Sequence, residues 1–263
     1  MIAMSHGAEL AMARRSKGIR MMLGWLLRQA DVRCANSSHT ANEILKVSGK
    51  ADTQVIPYGA TVNVKAAQEV KEEEPTLLFC GRLVQRKGID VLLKALPHVL
   101  DKQKVKLVIT GEGDCKEEWM KLTEELQLSD HVTFAGFVSN EELASLYGSC
   151  AAYVHPAIFD DNGDTEGLGV VLIEALSYKK PVIASAVGGI VDVVKHKETG
   201  ILVEEKRPRK LAKAILEVLE DKQLATSLGD QGYKHVSRFF DWSRIARKTS
   251  EMYRGKLVPS NEV

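Results

Sequence analysis

The sequence predicts an α/β fold in which helices cover both faces of a parallel sheet. From about residue 75 onward, short apolar runs rich in β-branched residues alternate with segments that repeat apolar residues at helical spacing. Buried parallel strands have such near-continuous apolar composition, and strand–helix alternation builds a doubly wound sheet. Ligands of these sheets bind beyond the carboxyl ends of the strands, so the residues that directly follow each strand are the candidates for chemistry.

Composition sets the broad class of protein. The chain has 263 residues, a net charge of +1, 44% hydrophobic and 27% charged residues. This is an ordinary soluble composition for one large or two modest domains, and it argues against nucleic acid as a partner. The start, MIAMSHGAEL, lacks the features of a secretory signal, and the apolar run at 21–27 is too short for a bilayer. We therefore expect a cytoplasmic protein with reduced thiols at Cys34, Cys80, Cys115 and Cys150.

Six strands and several helices are predicted after residue 75. The predicted strands are TLLFCG (76–81), VKLVITG (105–111), VTFAGF (132–137), CAAYVHP (150–156), PVIASA (181–186) and GILV (200–203). Helical spacing of apolar residues predicts a helix around 89–96 and further helices over 115–128, 140–148, 168–179, 188–196 and 208–239. The segment DWSRIARKTSEMYR predicts a separate last helix.

The first 65 residues contain fewer elements. They predict a strand at IAMSH, one basic and apolar helix over RRSKGIRMMLGWLLRQA, a strand at DVRCANS, a helix over 40–47 and a short strand at TQVIPYG. A charged segment, QEVKEEEP (68–75), reads as a linker. These elements are too few for an independent α/β domain, so we expect the end of a domain whose opening part lies outside this chain.

The segment EGLGVVLIEA combines glycines with two carboxylates, Glu166 and Glu174. Glycines at a helix start admit a ligand close to the backbone, and the unpaired amides there favour phosphate. In a continuous helix the two glutamates would lie ~12 Å apart, which suits the hydroxyl-bearing ends of an extended nucleotide-sugar. The alternative is a core helix that begins with glycines and carries two incidental glutamates.

The segment CGRLVQRKGID places Arg82 and Lys87 just after the first of the six strands. Two cations at the carboxyl edge of a parallel sheet can neutralise a diphosphate leaving group. The alternative is that both are solvated loop charges.

Four motifs in order, GRLVQRKG, ITGEGD, VTFAGFVSNEELASLY and EGLGVVLIEA, resemble family 4 of the retaining glycosyltransferases, which have the GT-B fold. The resemblance covers essentially the whole chain. It implies a complete nucleotide-sugar-binding domain over 66–240, a partial acceptor-side domain over 1–65, and a C-terminal helix in 241–263 that crosses back to it.

The resemblance also implies roles for single residues. Arg82 and Lys87 would hold the donor diphosphate, while Glu174 would bind the ribose and Glu166 the hexose hydroxyls. The backbone of Gly167, Leu168 and Gly169 would face the phosphate and hexose, and the segment that includes Val138 would meet the base. The motif SHGAE matches a family element whose histidine faces the transferred sugar, which makes His6 a site residue; the alternative is an exposed structural histidine.

The implied function is transfer of a hexose, with retention, from a UDP- or GDP-sugar to a glycan or lipid-linked acceptor in cell-surface polysaccharide synthesis. No metal or other cofactor is implied. Three alternatives stay open: a fragment of such an enzyme, a half that needs a partner chain to supply the rest, and an inactive nucleotide-sugar-binding module. A two-carboxylate glycosidase is disfavoured because ~12 Å exceeds the usual separation of its carboxyl groups.

Three further features are weaker signals. GEGD lacks the third glycine of a dinucleotide fingerprint, and the acidic loop DDNGD departs from the EF-hand pattern. Residues 14–28 combine five cations with methionine, leucine and tryptophan, which predicts peripheral contact with an anionic membrane at the inner face. The alternative is a helix that other parts of the protein bury.

Overall fold

A computed structural model of the chain describes residues 1–60 and 74–255. The strands are β1 (Ile2–Ser5), β2 (Val32–Ala35), β3 (Thr53–Val55), β4 (Thr76–Cys80), β5 (Lys106–Thr110), β6 (Val132–Gly136), β7 (Ala152–His155), β8 (Val182–Ser185) and β9 (Ile201–Val203). The helices are α1 (Ala8–Arg15), α2 (Lys17–Gln29), α3 (Ser38–Ser48), α4 (Ile89–Leu100), α5 (Lys116–Glu125), α6 (Asn140–Ser149), α7 (Val170–Ser177), α8 (Ile190–Val193), α9 (Pro208–Glu220), α10 (Lys222–Phe239) and α11 (Trp242–Tyr253). Most of the predicted linker, residues 68–73, lies outside the described part.

The larger sheet contains all six strands predicted after residue 75. Its order is β6-β5-β4-β7-β8-β9, and every described pairing is parallel. The chain winds outward from β4 in one direction and from β7 in the other, so the winding reverses between these two neighbouring strands. A doubly wound sheet binds its ligands at this switch point. The predicted α/β class is therefore confirmed.

Alternation along the central strands explains why both faces of this sheet are covered. In β4, Leu77 and Phe79 point into one buried cluster, which α4 and α9 complete, while Leu78 points into the opposite one, which α7 completes. Successive side chains of a strand alternate between its faces, so fully apolar strands need helices on both sides. We call residues 74–240 the C-terminal unit.

Residues 1–60 form a smaller unit, called here the N-terminal unit, around a parallel sheet of order β1-β2-β3. Leu10, Leu27, Ala35 and Ile44 form a small core between this sheet and the helices α1–α3. The opposite face packs on α11, where Ile245 and Met252 contact Cys34 and Ile56. The C-terminal helix thus returns to the N-terminal unit.

Several predicted helix boundaries were wrong, and capping explains two of them. The single helix predicted from residue 14 is two helices, because Ser16 adopts an extended conformation and its hydroxyl accepts from the amide of Ile19. The helix predicted over 208–239 breaks at Asp221, whose carboxylate accepts from the amides of Gln223 and Leu224. Serine and aspartate side chains compete with the helix for backbone hydrogen bonds, so they interrupt it. The helix predicted over 188–196 shortens to α8.

The two units touch through polar contacts beside the cleft between them. Asp192 on α8 accepts hydrogen bonds from the amide and the hydroxyl of Ser38, each at 2.5 Å, at the start of α3. The guanidinium of Arg14 donates to the carbonyl of Gly163. These contacts join the N-terminal unit to the C-terminal unit, so they fix which loops of the two units face each other.

Candidate functional site

A cavity of about 380 Å³ lies between the units, at the carboxyl ends of β1, β4 and β7. Its position is the switch point between β4 and β7, where the topology leaves a crevice. The N-terminal unit contributes His6, Asn36 and Tyr58, and the C-terminal unit contributes Arg82, Arg86, Lys87 and residues 164–171. One pocket therefore receives most of the residues that the sequence predicts for the site.

The loop after β4 directs Lys87 into this cavity. Gly88 ends a short 3-10 turn over Gln85–Lys87 with φ 64°, in the left-handed region. A Cβ at this position would lie 2.1 Å from the carbonyl oxygen of Pro156, so only glycine fits. The amide of Ile158 also donates to the carbonyl of Arg86 at 2.9 Å. These contacts pack the β4 loop against the β7 loop and bring Lys87 to Glu166.

Glu166 gathers three donors on a single carboxylate oxygen. Its Oε2 accepts from Lys87 Nζ, from Arg86 Nη1 at 3.4 Å and from His155 Nε2 at 3.0 Å. Burial alone would raise the pKa of the Glu166 carboxyl, but Lys87, His155 and Arg86 together lower it well below the usual value. The Glu166 side chain is therefore an ionised, buried carboxylate. Its backbone is also held in place, because the backbone carbonyl of Glu166 accepts from the Gly189 amide at 2.9 Å.

His155 supports Glu166 from inside the sheet. The imidazole is fully buried, its ring stacks on Phe79 with centroids 5.6 Å apart, and the Tyr153 hydroxyl lies 3.3 Å from its Nδ1. Burial, then the nearby Lys87 charge, lowers the His155 pKa to about 4. The ring is neutral near pH 7, and because its Nε2 faces an ionised carboxylate, it carries its proton there.

The helix α7 begins later than the sequence predicts. Its first residue is Val170, preceded by Gly169 with φ 87°, so Glu166 lies on the loop before the helix. The ~12 Å separation of Glu166 and Glu174, which supposed one continuous helix, therefore had a wrong premise. The argument against a two-carboxylate glycosidase used this separation, so it no longer holds.

Glu174 lies one turn into α7 and is partly buried. Its carboxylate accepts from the Tyr147 hydroxyl at 3.0 Å, and burial raises its pKa. Among the described residues predicted for the site, His6, Arg82, Lys87, Glu166, Gly167, Leu168 and Gly169 line the cavity, whereas Glu174 and Val138 do not. Val138 follows β6, at the same sheet edge.

His6 enters the cavity from the N-terminal unit. It follows β1, its exposed ring stacks on Tyr58 with centroids 5.2 Å apart, and the Tyr58 hydroxyl contacts its Nδ1. A Cβ at Gly167 would lie only 3.2 Å from the His6 carbonyl oxygen, so the glycine lets the two units approach closely. The ring of His6 and the carboxylate of Glu166 thereby face one cavity.

Sequence reasoning missed Arg86, His155 and Tyr58. His155 is the last residue of β7, so its place at the carboxyl edge of the sheet was the signal in the sequence that could have found it. The acidic loop has a local role: Asp160 accepts from the amides of Asn162 and Asp164 at 2.9 Å each, and Asp161 accepts from Gln85. Its carboxylates therefore fix the conformation of the loop that leads to Glu166 and join it to the β4 loop.

Two parallel α/β units that face each other across a cleft, with a doubly wound second unit, define a protein of the GT-B type. Residues 62–235 match the family model described as glycosyl transferases group 1. The chain belongs to this family, which confirms the relationship that the four motifs predicted.

Two relatives and one solved structure illustrate the relationship. An uncharacterised glycosyltransferase of Methanocaldococcus jannaschii is 33% identical over 193 residues, which cover 73% of this chain and 48% of that protein. A GDP-mannose-dependent alpha-(1-6)-phosphatidylinositol monomannoside mannosyltransferase of Mycobacterium tuberculosis is 31% identical over 267 residues, covering 97% and 69%. The chain thus spans only part of these relatives.

The solved structure is a sucrose-phosphate synthase from Thermosynechococcus elongatus. It superposes with a TM-score of 0.83 at 30% identity, over 97% of this chain and 67% of that one. The likeness extends over both units, which confirms the predicted fold class. The roles of individual site residues and the domain boundaries stay predictions.

Proposed function

We propose that this chain carries the donor site of a retaining glycosyltransferase, which moves a hexose from a nucleoside-diphosphate sugar to a glycan or lipid-linked acceptor in cell-surface polysaccharide synthesis. The observation that carries the proposal is the pairing of Lys87 with Glu166 in a cleft at the switch point. Lys87 offers a cation for phosphate, and the neighbouring Glu166 offers a carboxylate for sugar hydroxyls. A sugar diphosphate requires both groups side by side.

The diphosphate would bind between the β4 loop and the start of α7. Arg82 is exposed and Lys87 is buried, and both border the cavity together with Gly169. The free amides at the start of α7 add donors and a positive dipole end. These groups supply the positive charge that a departing diphosphate needs, so the proposal requires neither a metal ion nor another cofactor.

The transferred hexose would lie between Glu166 and His6. An ionised carboxylate accepts hydrogen bonds from sugar hydroxyls, and Glu166 is held in place by several donors. It would therefore orient the hexose and not act as a covalent nucleophile. The acceptor hydroxyl would approach from the N-terminal unit and attack on the face that the diphosphate leaves, which retains the anomeric configuration.

The nucleoside would extend past α7 toward Tyr147. Glu174 is the carboxylate in that direction, and its hydrogen bond from Tyr147 fixes its orientation for ribose hydroxyls. Val138, after β6, borders the same sheet edge and would meet the base. The mycobacterial relative is named as GDP-mannose-dependent, which supports testing GDP- and UDP-sugars in parallel.

Donor binding is tested by titrating UDP, GDP and their hexose derivatives into the purified chain, with calorimetry and thermal shift as readouts. One nucleoside diphosphate should bind and raise Tm, and the matching sugar should be hydrolysed slowly or transferred. If none of them binds, the proposal fails. Binding without hydrolysis or transfer, with any acceptor tried, would favour the alternative of a nucleotide-sugar-binding module that is inactive or depends on a partner chain.

We also propose that α2 contacts an anionic membrane. Met21, Met22 and Trp25 are 69%, 59% and 57% exposed on this helix. The cations Lys17, Arg20 and Arg28 belong to the same helix, which is the composition of an interfacial segment. No helix in residues 1–60 or 74–255 is long and apolar enough to cross a membrane.

The membrane contact is tested by cosedimentation with phosphatidylglycerol and phosphatidylcholine vesicles. The chain should pellet with the anionic vesicles, and less so in high salt, because the cations are screened. Met21→Ser should weaken binding, whereas Met120→Ser, which changes an exposed methionine on α5, should not. Equal binding by both variants and the unchanged chain would contradict this surface and favour burial of α2 by further protein.

A further inference from the structure

Lys87 would have two competing partners in the proposed donor site, the Glu166 carboxylate and the donor diphosphate. Its ammonium group is already paired with Glu166, and the Lys87 side chain is only 8% exposed. A diphosphate that binds in the cavity carries more negative charge than a carboxylate, so it would draw the ammonium toward itself. Glu166 would then lose its strongest partner at the moment when a second anion arrives beside it. Two neighbouring anions repel each other strongly in a partly buried cleft.

Of the other two donors to Glu166, His155 is the better suited to retain it. Arg86 lies 3.4 Å from the carboxylate, is also paired with Asp164 at 3.6 Å, and its charge is itself attracted to phosphate. The His155 contact is shorter, at 3.0 Å. Its neutral N–H has no net charge for a diphosphate to attract, because the ring is unprotonated near pH 7.

The imidazole is also held rigidly. The side chain is fully buried at the end of β7, between the rings of Phe79 and Tyr153, with centroid distances of 5.6 and 6.0 Å. A donor in this position cannot follow the ligand, and close packing fixes the direction of its Nε2–H bond. Buried groups with locked rotamers are those that can hold a binding residue to its productive geometry.

We propose that His155 is a positioning residue, which keeps the Glu166 carboxylate in its hexose-binding orientation while the donor diphosphate takes Lys87 from it. This inference rests on the proposed donor site. It predicts that His155 contributes to recognition of the sugar moiety and not to recognition of the diphosphate. Loss of the Nε2 donor should therefore separate two affinities that a merely structural role would change together.

The test compares His155→Gln and His155→Phe with the unchanged chain. The glutamine amide can replace the Nε2 donor, whereas phenylalanine keeps the ring stacking and removes the donor. Calorimetry measures the Kd of the nucleoside diphosphate and of its hexose derivative, using UDP with UDP-glucose and GDP with GDP-mannose. Circular dichroism and Tm show whether each variant is folded.

In His155→Phe we expect the affinity for the hexose derivative to fall ~10-fold, as for the loss of one hydrogen bond to a charged group, with less than ~2-fold change for the diphosphate. His155→Gln should recover most of the loss. Where transfer is measurable, the KM for the sugar donor should rise in His155→Phe together with its Kd.

Three results would overturn the inference while the proposed donor site stands. The first two are equal affinities in all three chains and a parallel loss of both ligands in a folded His155→Phe. A loss in His155→Gln as large as in His155→Phe would also overturn it, since the donor would then be irrelevant. If the unchanged chain binds neither pair of ligands, the donor site itself fails, and the inference falls with it.

Discussion

The two units build their sides of the cleft in different ways. In the C-terminal unit, large apolar clusters cover both faces of the sheet, and the buried Lys87 and His155 are both bonded to the buried Glu166. In the N-terminal unit, small clusters support one short sheet, and His6 is exposed and held mainly by Tyr58. Charged groups need partners and fixed geometry only where water is excluded.

This difference indicates which side of the cleft determines the specificity for a ligand. The C-terminal side of the cleft is preorganised, because the same packing that forms the sheet also fixes Lys87, His155 and Glu166. The facing side is set by a few surface contacts, so it can change with less effect on stability. Substitutions in the C-terminal unit should accordingly have large effects, and those in the N-terminal unit small ones. The predictions that follow test this contrast, beginning with the largest expected effect.

Lys87→Ala should lower kcat for donor hydrolysis or transfer by ~10²–10³-fold, because the charge that stabilises the leaving diphosphate is lost. Steady-state kinetics measure this. Lys94→Ala is the matched control, since Lys94 forms an exposed pair with Asp90 on α4 and its loss should leave kcat unchanged. A loss below threefold in a folded Lys87→Ala chain would contradict the role assigned to Lys87.

The stability of the C-terminal unit should fall at acid pH because of His155. Its pKa is about 4 in the folded chain and near 6.5 when unfolded, so between these values only the unfolded chain binds the proton. Folding is therefore penalised as the pH drops through this window, by ~2 kcal/mol at pH 4.5. The groups around the imidazole are Glu166, Lys87, Arg86 and Tyr153.

Urea unfolding at pH 7.5 and pH 4.5 measures this linkage. The unchanged chain should lose more stability between the two values than His155→Gln, and the difference should be ~2 kcal/mol. Because the other histidines are common to both chains, their contributions cancel. Identical pH dependence of the two chains would show that His155 is not held neutral by its surroundings.

Asp192→Ala should destabilise the contact between the units by ~1 kcal/mol, as for the loss of a helix cap, because the amide and hydroxyl of Ser38 lose their acceptor. Denaturant unfolding measures the change. Asp230→Ala, which removes a surface pair with Lys179, should cost less than ~0.5 kcal/mol. Equal costs would mean that the contact between the units adds nothing beyond a surface pair.

Tyr58→Phe should have the smallest effect, about threefold or less in kcat, because it removes one partly exposed hydrogen bond to His6 and keeps the ring stacking. Donor-hydrolysis kinetics measure it, with Tm as the check on folding. A ~10²-fold loss of kcat would contradict the difference between the two units, because the N-terminal side of the cleft would then be as strictly organised as the C-terminal side.

The sequence predicted the larger sheet well because periodicity and composition are local signals. All six strands predicted after residue 75 are present, and the residues that follow β4 and β7 do meet in one cavity. The breaks at Ser16 and Asp221 were missed because a single cap outweighs continuous apolar periodicity.

Contacts between residues on different strands and loops could not be predicted from local sequence patterns. Lys87 reaches Glu166 because β4 and β7 are neighbours in the sheet, and no local pattern in the sequence shows that pairing. The start of α7 was misplaced for a related reason: Gly169 ends the loop in a left-handed conformation, which the sequence does not reveal. The partners of Glu166 were therefore found only in the three-dimensional structure.

The central claim is that the cleft exchanges the Lys87–Glu166 pair for a diphosphate. A crystal structure of the chain soaked with UDP or GDP tests it directly. The diphosphate should lie against Lys87, Arg82 and the first amides of α7, with Glu166 still within hydrogen-bond distance of His155. A nucleotide bound elsewhere, or a cleft in which Lys87 stays on Glu166 at saturating ligand, would contradict the account.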